Sequence, residues 1–143
     1  MTTIAYKDRI IAYDSRFVCG DVIEDDSGDK HIERNNIQFF LSGDCSDYDF
    51  LVESYIQNKA IKEKINARAL VVDDGKLYTC SVTSDGDFWR CIERLDHHMA
   101  IGSGKNFVLA FMDTGMSAEE AVKATCKRDL YTGGTIRIFK LYD

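Results

Sequence analysis

Two short apolar segments are separated by a polar tip near the start of the chain. Residues 4–6 and 10–13 are apolar segments on either side of the polar tip 7–9. This pattern predicts a tight antiparallel hairpin. Such a hairpin would bring Thr2 back towards Asp14.

The rest of the pattern alternates between strand-like and helix-like segments. Further strands are predicted over residues 18–23, 37–41, 67–72, 77–82, 88–92 and 135–142. Helices are predicted from Ser46 to about Lys64, from Ser103 to about Asp113 and from Ser117 to about Leu130, the last with the form of a capping box. Strands clustered before and after helices favour an α+β fold, with two layered sheets and helices outside them, over a doubly wound parallel sheet.

Length and composition indicate a globular protein. The chain has 143 residues, of which 45% are hydrophobic and 29% charged, and we expect one domain spanning residues 1–143. A net charge of −6 without a basic stripe disfavours a nucleic-acid partner. The sequence contains neither a signal-peptide pattern nor a run of about 18 apolar residues, so we expect a cytoplasmic protein with no membrane partner. The scattered cysteines, five in number, fit reduced thiols.

The most informative chemical feature is the Met1-Thr2 start. Removal of Met1 would place a hydroxyl and a free α-amine on one residue. An α-amine has a pKa of about 7.7–8.0, so at neutral pH a useful fraction can accept the hydroxyl proton. Thr2 is therefore a candidate nucleophile that carries its own base.

Several short motifs accompany this start in a fixed order. They are residues 2–5, residues 13–16, residues 30–35, Gly43 with Asp47, residues 100–104 and residues 128–134. Together they resemble the proteasome β-subunit family and its bacterial HslV-type relatives, which are N-terminal-nucleophile hydrolases. The resemblance covers nearly the whole chain, and it implies a four-layer αββα sandwich.

The resemblance also implies roles for individual residues. Thr2 would be the nucleophile, Lys30 would lie beside its hydroxyl and be held by Asp14, and the backbone N–H of Gly43 would stabilise the oxyanion. The residues that would surround the α-amine are Ser103, Asp129 and Thr132, where Thr132 replaces the family's serine and keeps its hydroxyl.

These roles imply a threonine peptidase that acts on peptides or unfolded proteins. It would form a homo-oligomeric ring, need no cofactor and rely on a separate ATP-dependent unfoldase. The chain is shorter than the family pattern and lacks most of a second helix before Ala67. An inactive proteasome-like assembly or regulatory protein is therefore the alternative, and a small-molecule amidase is a third hypothesis.

Simpler interpretations of single residues stay open at the level of sequence. Lys30 follows an acidic turn and would suit a surface ion pair, and Asp14 would suit a structural turn. Ser103 between two glycines would suit a helix cap rather than a phosphate site. His97 and His98 would point to opposite faces of a strand, so zinc binding is disfavoured.

Overall fold

A computed structural model describes residues 2–142, and this part of the chain contains eleven β-strands and three α-helices. The strands are β1 (Thr3–Lys7), β2 (Ile10–Tyr13), β3 (Phe17–Cys19), β4 (Val22–Asp25), β5 (His31–Arg34), β6 (Ile37–Gly43), β7 (Ala67–Asp73), β8 (Lys76–Val82), β9 (Phe88–Glu93), β10 (Met99–Gly102) and β11 (Arg137–Lys140). The helices are α1 (Tyr48–Gln57), α2 (Lys105–Asp113) and α3 (Ala118–Thr125). All strand pairs are antiparallel within residues 2–142, and the predicted α+β class is confirmed.

The described residues form two compact units. The first contains the chain up to Lys30 and from Leu95 onwards, and the second contains His31–Arg94. The single domain over residues 1–143 stays a prediction. No helix of residues 2–142 is both long and apolar enough to cross a membrane.

A four-stranded sheet in the order β10-β1-β2-β11 forms the centre of the first unit. The predicted hairpin is confirmed, with Ile4 opposite Tyr13 and a two-residue turn at Asp8 and Arg9, whose φ angles are 51° and 64°. Both positive values belong to the turn type that suits a twisted hairpin. The backbone N–H of Asp14 donates to the carbonyl of Thr3 at 3.3 Å, so the hairpin brings the start of β1 to the end of β2.

A row of alanines lets the helices approach this sheet closely. Ala5 lies opposite Ala12 on one side and opposite Ala100 on the other, and all three are buried. The sheet surface formed by these alanines packs against residues of α2 and α3, namely Val108, Met112, Ala118, Ala121 and Val122. Small side chains leave room for the larger ones to fill the layer at the density of a protein interior.

Helix α3 begins as predicted and ends early. The Ser117 hydroxyl accepts from the Glu120 N–H, and the Glu120 carboxylate accepts from the Ser117 N–H, which is a complete capping box. The helix ends at Thr125 rather than near Leu130. The backbone after it turns, and the Asp129 N–H donates to the carbonyl of Thr125.

The other two predicted helix starts are wrong in detail. Ser103 does not cap α2, because Gly104 is the N-cap residue and the Ser103 hydroxyl bonds to Asp129 instead. Ser46 lies in a 3-10 turn, Cys45–Asp47, before α1. Helix α1 also ends at Gln57 rather than Lys64, since Asn58 adopts a left-handed conformation with φ of 54°.

The second unit is a five-stranded sheet in the order β5-β6-β7-β8-β9 with α1 packed against it. Tyr55 of α1 makes edge-to-face contacts with Phe39, Tyr78 and Phe88. Strand β5 was not predicted, because His31–Arg34 has a single apolar residue and gives a weak strand pattern.

Two further differences concern the first unit. The strand expected over residues 18–23 is a ribbon of two short strands, β3 and β4, with a turn at Gly20, whose φ is 61°. Strand β10 was not predicted as a separate element, although it pairs with the whole of β1 except its last residue. Its four residues are too few for a periodic pattern to be read from sequence.

Gly102 provides a test of the close backbone approach at the end of β10. It has φ of 103°, and a Cβ atom there would lie 1.9 Å from the carbonyl oxygen of Thr2. Gly115 has the same φ of 103° with nothing within 4 Å of its Cβ position. We expect Gly115→Ala to cost about 1–2 kcal/mol for the backbone conformation alone.

Gly102→Ala should lower the free energy of unfolding further, by at least roughly 2 kcal/mol more than Gly115→Ala, because the carbonyl of Thr2 must also move. Urea unfolding of both variants measures the difference. Equal losses in the two variants would contradict the close approach at Thr2.

Candidate active site

Three predicted site residues meet in the interior of the first unit. Thr2 and Asp14 are 0% exposed and Lys30 is 1% exposed. The Lys30 ammonium donates to the Thr2 hydroxyl oxygen, and the Thr2 hydroxyl donates to Asp14 Oδ1. Lys30 Nζ also lies 2.9 Å from Asp14 Oδ1, forming a buried ion pair. The alternative of a surface ion pair for Lys30 is wrong, since this lysine is enclosed.

The carboxylate of Asp14 is fixed by backbone donors as well. Its Oδ1 accepts from the N–H of Thr3 at 3.1 Å, and its Oδ2 accepts from the N–H of Arg16 at 3.3 Å and of Gly133 at 3.0 Å. With Thr2 and Lys30 it therefore accepts from five donors. A buried charge is tolerated when its lone pairs are satisfied in this way, and the donors fix its orientation.

Burial changes the acid–base behaviour of Lys30. Loss of water around the ammonium lowers the pKa of Lys30 below its ordinary value, and the nearby charge of Asp14 opposes this shift. Part of the enclosure comes from Phe17, whose ring centroid lies 5.3 Å from Lys30 Nζ. Gly28 permits this packing, because a Cβ there would lie 2.1 Å from the Phe17 ring.

A second polar group lies on the other side of the Thr2-Thr3 backbone. Asp129 Oδ2 accepts from the hydroxyls of Ser103 at 2.7 Å and of Thr132 at 2.6 Å. The Ser103 hydroxyl also lies 3.3 Å from the carbonyl oxygen of Thr2. The Thr132 hydroxyl lies 2.6 Å from the Thr3 hydroxyl. This group therefore holds the backbone of Thr2 and the side chain of Thr3.

Gly104 allows this second group to close around Thr3. A Cβ atom at Gly104 would lie 2.0 Å from the Thr3 hydroxyl and 3.2 Å from that of Thr132. Its N–H also points to the carbonyl of Thr2 at 3.5 Å. Gly104, which follows Ser103 in the segment compared with a helix cap and a phosphate site, thus provides space for Thr3.

The structure brings together six of the seven predicted site residues in the first unit: Thr2, Asp14, Lys30, Ser103, Asp129 and Thr132. Gly43 belongs to the second unit, at the end of β6, with φ of 111°. A Cβ there would lie 2.3 Å from the carbonyl oxygen of Asn66. Met1, on whose removal the candidate nucleophile depends, lies outside the described residues.

Sequence reasoning missed two contributors to this site. Thr3 was not assigned a role, although its N–H and its hydroxyl bond to the two different polar groups. The N–H of Gly133 was not assigned one either, and it contacts Asp14 from a position 119 residues away. Any residue except proline can supply a backbone N–H donor, so residue type does not reveal this contact. The Gly133-Gly134 pair was the signal that the sequence offered.

The two adjacent histidines have a different geometry from the one predicted for a strand. His97 and His98 lie outside the strands, and their rings stack at 5.5 Å rather than pointing to opposite faces. His98 Nε2 lies 2.7 Å from Asp113 Oδ1, which explains the residue as a surface pair with α2. Within residues 2–142 no three His, Cys, Asp or Glu side chains are grouped as metal ligands would be.

Comparison with known proteins shows similarity of fold rather than of sequence. No protein-family model matches the chain, and neither does any curated protein. The structure of Thiobacillus denitrificans BPH in complex with epoxomicin is similar with a TM-score of 0.71 at 14% identity, over 99% of both chains. A second structure of Thiobacillus denitrificans BPH has a TM-score of 0.68 at 16% identity, over 99% of this chain and 98% of that one. Identities this low establish the fold alone.

The lowered pKa of Lys30 predicts how stability depends on pH. The unfolded chain holds the Lys30 proton more tightly than the folded chain does, so stability should rise with pH between the lowered folded value and about 10.4. Lys30→Met removes this titration and leaves Asp14 without its cation. The free energy of unfolding of the Lys30→Met variant should therefore fall further below that of the wild type as pH rises.

Urea unfolding between pH 7 and pH 10 measures this difference at each pH. Lys105→Met, at an exposed lysine of α2, is the matched control and should track the wild type. A Lys30→Met curve parallel to the wild type would contradict the lowered pKa.

Proposed function

We propose that this chain is a threonine peptidase of the N-terminal-nucleophile type, with Thr2 as nucleophile after removal of Met1. One observation carries the proposal: the Thr2 hydroxyl lies between a buried lysine, Lys30, and a buried aspartate, Asp14. A threonine with a purely structural role does not require a charged pair to be taken out of water beside it, which is energetically costly.

The proposed reaction begins with the Thr2 hydroxyl. Its oxygen attacks the carbonyl carbon of a peptide bond, a C–O bond forms, and the carbonyl electron pair moves onto oxygen. The hydroxyl proton passes to the unprotonated α-amine of Thr2. Lys30 stabilises the negative charge that develops on the threonine oxygen, and Asp14 orients both groups.

The intermediate then collapses. The C–N bond breaks, the leaving amine takes the proton from the α-ammonium, and an ester remains on Thr2. Water then attacks the ester carbonyl and gives a proton to the α-amine, the C–O bond to Thr2 breaks, and the α-ammonium returns the proton to the Thr2 oxygen as the carboxylic acid leaves. Ser103, Asp129 and Thr132 position the α-amine through the Thr2 carbonyl and the Thr3 hydroxyl. The family resemblance alone assigns the oxyanion donor to the N–H of Gly43.

Substrate and assembly belong to the same proposal. The motif order resembles the proteasome and HslV families, and it supports a four-layer αββα sandwich, a homo-oligomeric ring and a separate ATP-dependent unfoldase. Peptides or unfolded proteins would be the substrates. The structure of Thiobacillus denitrificans BPH contains epoxomicin, an epoxyketone, and the similarity of fold makes this compound the probe of choice here.

A second candidate function is a catalytically inactive proteasome-like assembly or regulatory protein. The observation that favours it is the complete burial of Thr2, whose exposed fraction is 0%. A nucleophile must be reached by its substrate. If the chain keeps Met1 in its mature form, the fold would serve assembly alone.

Labelling of Thr2 distinguishes the two functions. The intact mass of the purified protein should show loss of Met1, and epoxomicin should add to Thr2. Thr2→Ala should abolish the addition and lower cleavage of a fluorogenic peptide by roughly 10³-fold or more, because the nucleophile is gone. Thr2→Ser should retain both.

Thr114→Ala, at an exposed threonine after α2, is the control for the substitution and should behave like the wild type. A mature protein that retains Met1 and is not labelled by epoxomicin would rule out the peptidase and leave the assembly protein.

A further inference from the structure

Arg16 connects three segments of the first unit beside the candidate site. Its Nε and Nη2 donate to the two carboxylate oxygens of Asp26, at 2.8 Å and 3.2 Å. Its Nη1 donates to the carbonyl of Leu130 at 3.0 Å. The planar guanidinium is suited to this arrangement, since a fork of N–H groups can bind a carboxylate with two bonds and still reach a third acceptor.

The same guanidinium lies flat against Gly133. A Cβ atom at Gly133 would lie 2.3 Å from Arg16 Cζ, so glycine is required for this contact. The N–H of Gly133 donates to Asp14 Oδ2 at 3.0 Å, and the N–H of Arg16 itself donates to the same oxygen at 3.3 Å. Arg16 therefore contacts the Asp14 carboxylate through its backbone and supports a second donor to it through its side chain.

Asp26 is held in place independently of Arg16. Its carbonyl accepts from the N–H of Thr135 at 3.1 Å, and a Cβ at Gly134 would lie 2.2 Å from that carbonyl oxygen. The hydrogen bonds from Arg16 keep the pKa of Asp26 below its usual range, so the carboxylate is charged at neutral pH. The segment before Lys30 and the segment after Asp129 are thus joined at Asp26.

We propose that Arg16, anchored by Asp26, is a positioning residue that presses Gly133 against Asp14 and so keeps Asp14 and Lys30 aligned with the Thr2 hydroxyl. This inference rests on the proposed function. Neither Arg16 nor Asp26 touches Thr2, and they act through the Gly133 N–H.

A purely structural surface pair is the competing explanation, and the burial of the two side chains makes it distinguishable. The side chain of Asp26 is 47% exposed and that of Arg16 is 17% exposed. Because Asp26 is half-exposed, the ion pair itself contributes little to stability. A purely structural role for Arg16 predicts that turnover falls only as far as stability falls, whereas a positioning role predicts a loss of turnover in a protein of nearly unchanged stability.

The test uses Arg16→Lys and Asp26→Asn in the full chain. Lysine keeps the charge but cannot form the fork. We expect both variants to lower kcat for a fluorogenic peptide by about tenfold or more with KM unchanged, and to slow epoxomicin labelling by the same factor, since a small misplacement of catalytic groups is costly. The melting temperature should stay close to that of the wild type.

The matched control is a second arginine–aspartate pair, Arg34 and Asp49, whose Nη2 and Oδ1 atoms lie 3.1 Å apart in the second unit. Arg34→Lys and Asp49→Asn should leave kcat and labelling unchanged. Asp26→Glu, which keeps the carboxylate, should recover part of the activity lost in Asp26→Asn. Wild-type kinetics in both Arg16→Lys and Asp26→Asn would overturn the inference.

Amide hydrogen exchange at Gly133 tests the same contact without relying on activity. The Gly133 N–H should exchange at least several-fold faster in Arg16→Lys and Asp26→Asn than in the wild type and the Arg34 control. Unchanged exchange would overturn the inference. A wild-type protein that is neither labelled nor active would instead refute the proposed peptidase, and the exchange result would still decide whether Arg16 holds Gly133.

Discussion

The buried ion pair between Lys30 and Asp14 is the constraint on which the rest of the first unit depends. Removing two charges from water is costly, and a pair left with one partner typically destabilises a protein by about 3–5 kcal/mol. The structure meets this cost by placing both groups against the Thr2 hydroxyl and by supplying three backbone N–H donors to the carboxylate. Each of those donors comes from a backbone segment that must be held in place, so the ion pair requires the surrounding loops to keep a fixed geometry.

Small residues make that geometry possible. Alanines across the sheet allow the helices to pack closely, and glycines allow backbone and side chains to touch where a Cβ atom would collide. Gly104 gives space to Thr3, and Gly133 gives space to the Arg16 guanidinium. The candidate site therefore depends on glycines and alanines as well as on reactive side chains. Charged groups need hydrogen-bond donors at about 3 Å, and the absence of larger side chains lets the backbone approach that closely.

Local sequence patterns predicted the elements that depend on near neighbours. The first hairpin was predicted because its strands and turn lie within the eleven residues from Thr3 to Tyr13, and the Ser117 capping box was predicted because its partners lie three residues apart. Elements that depend on distant partners were missed. Strand β10 is recognisable only through its pairing with β1. The local pattern assigned Ser103 to a helix cap, and only the family resemblance placed it near Asp129, whose carboxylate accepts a hydrogen bond from its hydroxyl.

The sequence by itself determined the chemical groups available: a threonine after Met1, and a lysine, aspartates and hydroxyls in an order that resembles a known hydrolase family. It also determined that these groups follow strands and turns. Only the tertiary structure decided that Lys30 is enclosed rather than solvated, and that Thr3 and Gly133 complete the site. The reason is physical: burial and backbone hydrogen bonds arise from how segments far apart in the chain pack together, and residue type carries little information about either.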